Sequence, residues 1–170
     1  MPRRVPASPA EPAPSPDGAF RYSHPVEVRF RDTDALGHVN NAVYLSYFEI
    51  ARAGYYAALT GRTFEVTDDA PVGIILAHAR LEFRAPAYFG ETLHVACRAG
   101  WVGRSSFSLD YRITASDDSP RGGGRLVADG ETVQVVFDYG TQRATRMPDD
   151  LRAALEAYEG RPLPARRPPA

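Results

Sequence analysis

The chain has 170 residues, of which 44% are hydrophobic, and it carries 20 basic and 21 acidic side chains. This length suits one globular domain, and a formal net charge of −1 gives no reason to expect nucleic acid or an anionic membrane as a partner. No stretch approaches the roughly 18 apolar residues of a membrane-spanning helix, and the first residues lack the apolar block of a secretory signal, so we expect a cytoplasmic protein.

Proline is concentrated at both ends of the sequence. Six of the first nineteen residues are proline, and four more lie among the last nine. Because such composition is typical of chain that does not fold, we predict disordered tails at residues 1–19 and 161–170 around one domain at residues 20–160.

The domain is predicted to begin with a strand, in which Val26, Val28 and Phe30 alternate with charged residues. A turn follows, since Asp34 and Gly37 both tolerate turn conformations. The strand and the turn lead directly into a helix.

The helix is predicted over Ala42 to Leu59, with Asn40 or Asn41 as its N-cap. Apolar residues nearly encircle it, so other structure must wrap it. Its polar residues form one narrow line: Ser46, Glu49 and Arg52. Gly54 indicates close approach of another backbone, and Gly61 is placed to end the helix.

The rest of the chain has the two-residue period of β-strands. Strands are predicted over residues 75–84, 93–101, 107–113 and 126–139, and Gly130 is expected to mark a bulge. Short turns at 88–90, 103–104 and 120–124 favour antiparallel pairing of neighbouring strands.

A second helix, from Asp149 to Glu159, is predicted to pack at the end of the domain. Cys97, the single cysteine, lies on an alternating strand and is expected to be a buried, inert thiol. One long helix beside an antiparallel sheet is an α+β arrangement, and its unpaired sheet edges predict a dimer.

The turn before the long helix brings ionisable groups to a helix N-terminus. Asp34 and His38 lie in this turn, and the first N–H groups of a helix have no partner within the helix. Together with the helix dipole they favour negative charge, such as an oxygen that becomes anionic during acyl transfer. We therefore expect the chemistry of the protein here.

Three segments, taken in order, resemble a known enzyme family. They are DTDALGHVNNAVYLSYFEIAR, the strand segment LEFRAPAYFGETLHV, and GRSSFSLDYRI. Over residues 22–140 the chain resembles acyl-CoA thioesterases of the hotdog fold, in the branch of 4-hydroxybenzoyl-CoA and long-chain acyl-CoA thioesterases. The resemblance implies a long helix wrapped by a curved antiparallel sheet, two subunits joined edge to edge around the thioester, and often a tetramer of two such dimers.

The resemblance also implies roles for individual residues. The catalytic carboxylate of this branch falls on Asp34, and Asn41 matches the position whose backbone N–H polarises the thioester carbonyl. His38 matches a histidine implicated in related acyl thioesterases. Another hotdog branch takes its carboxylate from the central helix, where this chain has Glu49. We expect hydrolysis of acyl-CoA with Asp34 as general base or nucleophile.

Two acidic residues also have simpler interpretations. Asp32 is expected to cap the turn or to pair with Arg29 or Arg31. Glu49 is expected to pair with Arg52, three residues along the same helix.

Further side chains are expected around the substrate. Tyr44 and Tyr47 are predicted to fill the core, although either hydroxyl could line the acyl pocket. Because coenzyme A carries phosphates, arginines near strand ends or on polar strand faces are candidates to bind them: Arg84, Arg98 and Arg104.

No cofactor is expected apart from the coenzyme A of the substrate itself. The four histidines are scattered and none has the spacing of a metal-ligand pair, so no metal site is predicted. Two alternatives remain open: a hydratase or dehydratase of the same fold, and a noncatalytic acyl-CoA sensor.

Overall fold

A computed structural model describes residues 19–61 and 71–166. Its elements, in chain order, are β1 (Tyr22–Glu27), a 3₁₀ turn (Phe30–Asp32), α1 (Val43–Thr60), β2 (Val72–Phe83), β3 (Thr92–Val102), β4 (Ser106–Ala115), β5 (Leu126–Asp138), β6 (Arg143–Ala144) and α2 (Asp149–Glu159). The two predicted helices and the last three predicted strands are confirmed with closely similar bounds. The α+β class is confirmed as well.

The strands form one antiparallel sheet in the order β1-β3-β4-β5-β2, with β6 on β5. Pairing of β3 with β4 and of β4 with β5 confirms the prediction from the short turns. Pairing of β2 with β3 was also predicted, and it is wrong. β2 pairs with β5 at one edge, from Val72 opposite Asp138 to Phe83 opposite Ala128, whereas β3 pairs with β1.

The connection between β2 and β3 explains this difference. Residues 84–91 run across the end of the sheet, and their backbone bonds to Val127 on one side and to Val28 and Val39 on the other. The turn-forming residues Tyr88, Phe89 and Gly90 therefore end a crossing segment and do not close a hairpin.

One face of α1 packs on β1 and β3. The buried residues of this helix are Tyr44, Tyr47, Phe48, Ala51 and Tyr55. Gly61 ends it in the left-handed conformation, as predicted. Leu45 and Ile50 flank this buried face on either side and are 41% and 38% exposed. The described residues of one chain therefore do not surround the whole helix, contrary to the expectation.

Two glycines allow close packing, but not in the ways predicted. A Cβ on Gly54 would collide with the Tyr22 hydroxyl, so a side chain and not a backbone approaches α1 there. Gly130 lies in an uninterrupted ladder and marks no bulge. A Cβ on Gly130 would collide with the Arg80 carbonyl oxygen and lie 3.0 Å from the Phe48 ring. The glycine thus lets α1 come down onto the sheet.

The C-terminal helix α2 is fixed to α1 and β3 through a buried carboxylate. Glu159 accepts hydrogen bonds from the Tyr55 hydroxyl at 2.6 Å and from the Ala99 N–H at 2.9 Å. Beyond it, Leu163 is buried and the Pro164 carbonyl accepts the N–H of Val102. The predicted disordered tail at residues 161–170 is therefore wrong for residues 161–166, because these contacts hold them on the sheet.

Cys97 is fully buried on β3, as predicted. Burial raises the pKa of its thiol well above the ordinary value, so the thiolate is disfavoured. Among the described residues, no helix combines the length and the apolarity needed to cross a lipid bilayer.

Candidate active site

The segment between β1 and α1 forms a tight turn with buried ends. Val28 and Val39 are buried, and Val39 bridges back to Thr33. Phe30 was predicted to face the core, and this prediction is wrong. Phe30 is 76% exposed, because β1 ends at Glu27 and the backbone then coils into the 3₁₀ turn.

The backbones of Asp34 and His38 pair across the base of this turn. The Asp34 N–H donates to the His38 carbonyl at 3.1 Å, and the Gly37 N–H donates to the Asp34 carbonyl at 3.0 Å. Gly37 has φ of 81°, a left-handed conformation that suits glycine. The predicted turn is thus confirmed, with its acid and its imidazole at the base.

The Asp34 side chain is half-buried and takes part in the turn. Its Oδ1 accepts the N–H of Leu36 at 2.9 Å, which is an Asx-turn hydrogen bond. Its Oδ2 has no hydrogen bond within residues 19–61 and 71–166. One oxygen of the carboxylate is thus used for structure, and the other is available for chemistry.

The start of α1 differs from the predicted N-cap. Ala42 precedes the first helical residue, Val43, and makes no side-chain cap. Asn40 stabilises the start of the helix instead. Its Oδ1 accepts the Ala42 N–H at 3.0 Å and its carbonyl accepts the Val43 N–H at 2.9 Å. The N–H of Asn41 finds no acceptor among the described residues. It is therefore an unpaired donor at the positive end of α1.

Asp32 pairs with Arg29, as predicted, and lies deeper than the sequence suggested. Its carboxylate is only 3% exposed and also accepts the Tyr47 hydroxyl at 3.1 Å. Burial raises the pKa of the Asp32 carboxyl, but hydrogen bonds from Arg29 and Tyr47 outweigh it and hold the pKa below its usual value. No sequence signal indicated that Asp32 would be more deeply buried than Asp34, since both belong to one short motif.

The two tyrosines at the start of α1 are core residues, as predicted. The Tyr44 ring meets Phe83 of β2 edge to face at 5.2 Å, and Tyr47 is fully buried. Burial raises the pKa of both hydroxyls, so neither is disposed to ionise.

Among the described residues, neither His38 nor Glu49 forms a hydrogen bond or an ion pair with the Asp34 carboxylate. The His38 ring, half-buried, lies with Nδ1 3.3 Å from the Val39 carbonyl oxygen. Glu49 lies on the exposed side of α1, where it forms the predicted ion pair with Arg52. Arg52 also donates to Gln134 of β5 at 3.2 Å, so the pair is fixed to the sheet.

Two of the three predicted phosphate-binding arginines are already paired. Arg84 donates to Asp129 at 2.6 Å, and Arg98 donates to Asp110 at 3.2 Å. Because the neighbours of Arg98 along β3 are buried toward α1, Arg98 points to the opposite side of the sheet.

Arg104 has a different environment, in the turn between β3 and β4. It borders a cavity of about 340 Å³ together with Arg146 and Arg152. Among the described residues Arg104 forms no ion pair, and Arg146 contacts Asp149 at 3.6 Å. The last two arginines were not predicted as site residues, since they lie more than 40 positions from Arg104 in sequence.

Strand β2 leaves one edge of the sheet open. It pairs only with β5 among the described strands, and Ile75, Leu76 and Phe83 are 42%, 41% and 49% exposed. An uncovered apolar edge beside the start of α1 thus lies next to the candidate site. Within residues 19–61 and 71–166, no group of three or more His, Cys, Asp or Glu side chains is arranged to hold a metal ion.

Known proteins are similar to this chain in sequence and in architecture. A 1,4-dihydroxy-2-naphthoyl-CoA hydrolase of Synechococcus elongatus is 29% identical over 133 residues, which cover 76% of this chain and 90% of the relative. The long-chain acyl-CoA thioesterase FadM of Escherichia coli is 27% identical over 131 residues, covering 77% and 94%.

A crystal structure of a Thermus thermophilus thioesterase, complexed with coenzyme A and Zn, superposes with a TM-score of 0.69. It shares 33% identity, and the match covers 85% of this chain and 98% of that protein. The family model described as thioesterase-like superfamily matches residues 28–155, which is most of the sequence. The chain therefore belongs to the thioesterase-like superfamily.

Proposed function

We propose that this protein hydrolyses acyl-CoA thioesters to a free acid and coenzyme A. The observation that carries the proposal is the unpaired N–H of Asn41 at the positive end of α1, beside the turn that holds Asp34. Relatives named as acyl-CoA hydrolases and thioesterases support the same activity. No cofactor is needed, because the thiolate of coenzyme A is already a good leaving group.

The reaction adds water across the C–S bond. A water oxygen attacks the carbonyl carbon, Asp34 takes a proton from that water, and the carbonyl oxygen becomes an oxyanion held by the Asn41 N–H. When the C=O bond re-forms, the C–S bond breaks and the thiolate leaves with its electron pair, then takes the proton from Asp34. In a second route Asp34 attacks first, releases the thiolate and forms a mixed anhydride that water hydrolyses.

Free thiol release from a panel of acyl-CoAs tests this proposal. Asp34→Asn should lower kcat by about 10²- to 10⁴-fold, which is the usual contribution of a positioned base. Asp118→Asn, an exposed acid in the loop before β5, is the matched control and should keep full activity. Near-normal turnover in Asp34→Asn would move the acid elsewhere, with Glu49→Gln the next variant to measure.

The same panel separates the alternative functions. Loss of enoyl absorbance without thiol release would indicate a hydratase. Binding of acyl-CoA without any turnover would indicate a sensor. We propose that the His38 imidazole contacts substrate and takes no proton. His38→Gln, measured beside Asp34→Asn, should then lower kcat much less than Asp34→Asn does, and an equal loss would give His38 a direct part in the reaction.

We further propose a homodimer joined through β2, or a tetramer of two such dimers, with the thioester at the seam. The open edge of β2 and its exposed apolar side chains support this assembly. So do Leu45 and Ile50, the exposed apolar residues of α1. Sedimentation equilibrium should give twice or four times the chain mass, and a monomer at micromolar concentration would contradict it. A cytoplasmic location stays a prediction.

The phosphates of coenzyme A are proposed to bind at Arg104 with Arg146 and Arg152. The 11 residues of β3 separate this turn from the Asp34 end of the sheet by roughly 35 Å. If two β2 strands paired antiparallel, the Arg104 turn of one subunit would lie at the same end of the joined sheet as the Asp34 turn of the other. The proposed phosphate-binding arginines and the Asp34 turn of one site would then belong to different subunits.

Kinetics with two substrates tests this assignment. Arg104→Gln should raise KM for an acyl-CoA several-fold and leave KM for the matching acyl-pantetheine unchanged, because pantetheine lacks the nucleotide phosphates. Arg84→Gln and Arg98→Gln, whose guanidinium groups are already paired, should have smaller effects. Equal effects of all three on both substrates would contradict the assignment.

A further inference from the structure

We infer that Asp32 is a positioning residue for thioester hydrolysis, which fastens the turn carrying Asp34 to the helix tip carrying the Asn41 N–H. This inference rests on the proposed function. Asp32 is 3% exposed, so it does not itself contact substrate or the attacking water.

Its hydrogen bonds join three pieces of chain. The carboxylate accepts the backbone N–H, Nε and Nη2 of Arg29, each at 3.0 Å, and these fix the beginning of the turn. It also accepts the Tyr47 hydroxyl at 3.1 Å, which connects it to the second turn of α1. The Asp32 carbonyl accepts the N–H of Asn40 at 2.9 Å, immediately before the proposed oxyanion donor.

This arrangement sets the distance between the two reacting groups. Asp34 lies two residues after Asp32. Asn41 directly follows Asn40, whose N–H donates to the backbone carbonyl of Asp32. The carboxylate is surrounded by donors, so replacing it with an amide directs an NH₂ group at Arg29 or Tyr47 and breaks part of the set. Displacement of a reacting group by 1 Å can lower a rate about 10²-fold.

Asp32→Asn should therefore lower kcat by about 10- to 100-fold, up to the loss that a displacement of 1 Å can cause. KM for acyl-CoA should change less than kcat. The pH dependence of kcat should keep the shape of the wild type, because Asp32 is buried and takes no proton in the proposed reaction.

A double-mutant cycle separates positioning from a general loss of folding. If Asp32 acts through Asp34, the fold-loss caused by Asp32→Asn should be at least about fivefold smaller in the Asp34→Asn background, since residues that act as one unit are non-additive. A merely structural role would reduce activity by the same factor in both backgrounds. Thermal melts of all four proteins, with assays well below the lowest midpoint, keep the folded fraction equal.

Tyr47→Phe carries the same test if Asp32→Asn does not fold. It removes one hydrogen bond and keeps the buried ring, so its loss of kcat should be smaller and equally dependent on Asp34. Unchanged kcat, or equal losses in the two backgrounds, would overturn the inference. Full turnover in Asp34→Asn alone would instead overturn the acid assignment of the proposed function, and with it any positioning through Asp34.

Discussion

Glu91 offers the sharpest test of how the site-bearing end of the molecule is held together. It lies at the end of the connection that crosses the sheet, and its carboxylate is 3% exposed. It accepts two hydrogen bonds from Arg125 at 3.0 and 3.1 Å, one from the Ser119 hydroxyl at 2.5 Å and one from the Tyr88 N–H at 2.8 Å. These bonds join the crossing connection to the loop between β4 and β5.

Glu91→Gln leaves the Arg125 guanidinium, whose side chain is 20% exposed, without its counter-charge. Breaking a buried pair by removing one partner destabilises a protein by about 3–5 kcal/mol, and the remaining exposure places this case near 3 kcal/mol. For a chain of this size, that corresponds to a fall in melting temperature of roughly 6–12 °C.

The effect should depend on pH with a definite sign. Burial raises the pKa of the Glu91 carboxyl, but bonds from Ser119, Arg125 and Tyr88 outweigh it and lower the pKa below its usual value. The stabilisation is therefore fully present above about pH 4.3, the unfolded value, and is lost as the pH falls through the lower folded pKa. The difference between wild type and Glu91→Gln should be largest near pH 7 and shrink in acid.

Urea unfolding of both proteins at pH 7 and at about pH 3, well below the unfolded value, measures this difference at one fixed protein concentration. Glu82→Gln is the matched control, because Glu82 and Arg80 are 3.8 Å apart with side chains 46% and 62% exposed. Such a pair contributes less than about 1 kcal/mol. A loss for Glu91→Gln no larger than that of Glu82→Gln would refute the reasoning.

Three further outcomes are expected. Gly130→Ala should lower the free energy of unfolding by about 1–3 kcal/mol, because the new methyl collides with the Arg80 carbonyl oxygen and meets the Phe48 ring; unchanged urea midpoints would contradict this. Tyr55→Phe should lower it by about 1.5–3 kcal/mol, since Glu159 loses a charge-assisted hydrogen bond, and an unaltered melt would count against that bond. Cys97 should react with thiol reagents only after denaturation, and rapid labelling of the native protein would show that its burial is incomplete.

Local features of this fold were predictable from sequence, and non-local ones were not. Periodicity located α1, α2 and the strands β2 to β5, because each period is set by a few neighbouring residues. It misplaced the first strand, which was predicted to extend through Phe30 and ends at Glu27. The position of β2 beside β5 depends on a partner more than 40 residues away, which periodicity does not encode. Leu163, inside a Pro- and Arg-rich stretch, is buried because the sheet offers it a place, and composition could not indicate that.

The candidate site was predictable to a similar degree. The motif predicted, through a resemblance, a site made of Asp34 and Asn41, and the predicted turn at Asp34 is present. The burial of Asp32 could not be read from the motif, since it depends on Tyr47 fifteen residues later and on the backbone of Asn40. The cluster around Arg104 is assembled from a turn and a distant helix start, so its members carried no common signal.

The crossing connection between β2 and β3 has a consequence for how activity is acquired. The same eight residues, 84–91, carry the chain from one sheet border to the other and supply the backbone partners of Val28 and Val39. The candidate active site is therefore completed only after both edges of the sheet have assembled. Turnover would then report complete maturation of the subunit, and a fragment ending before β5 would stay inert even with every reactive side chain present.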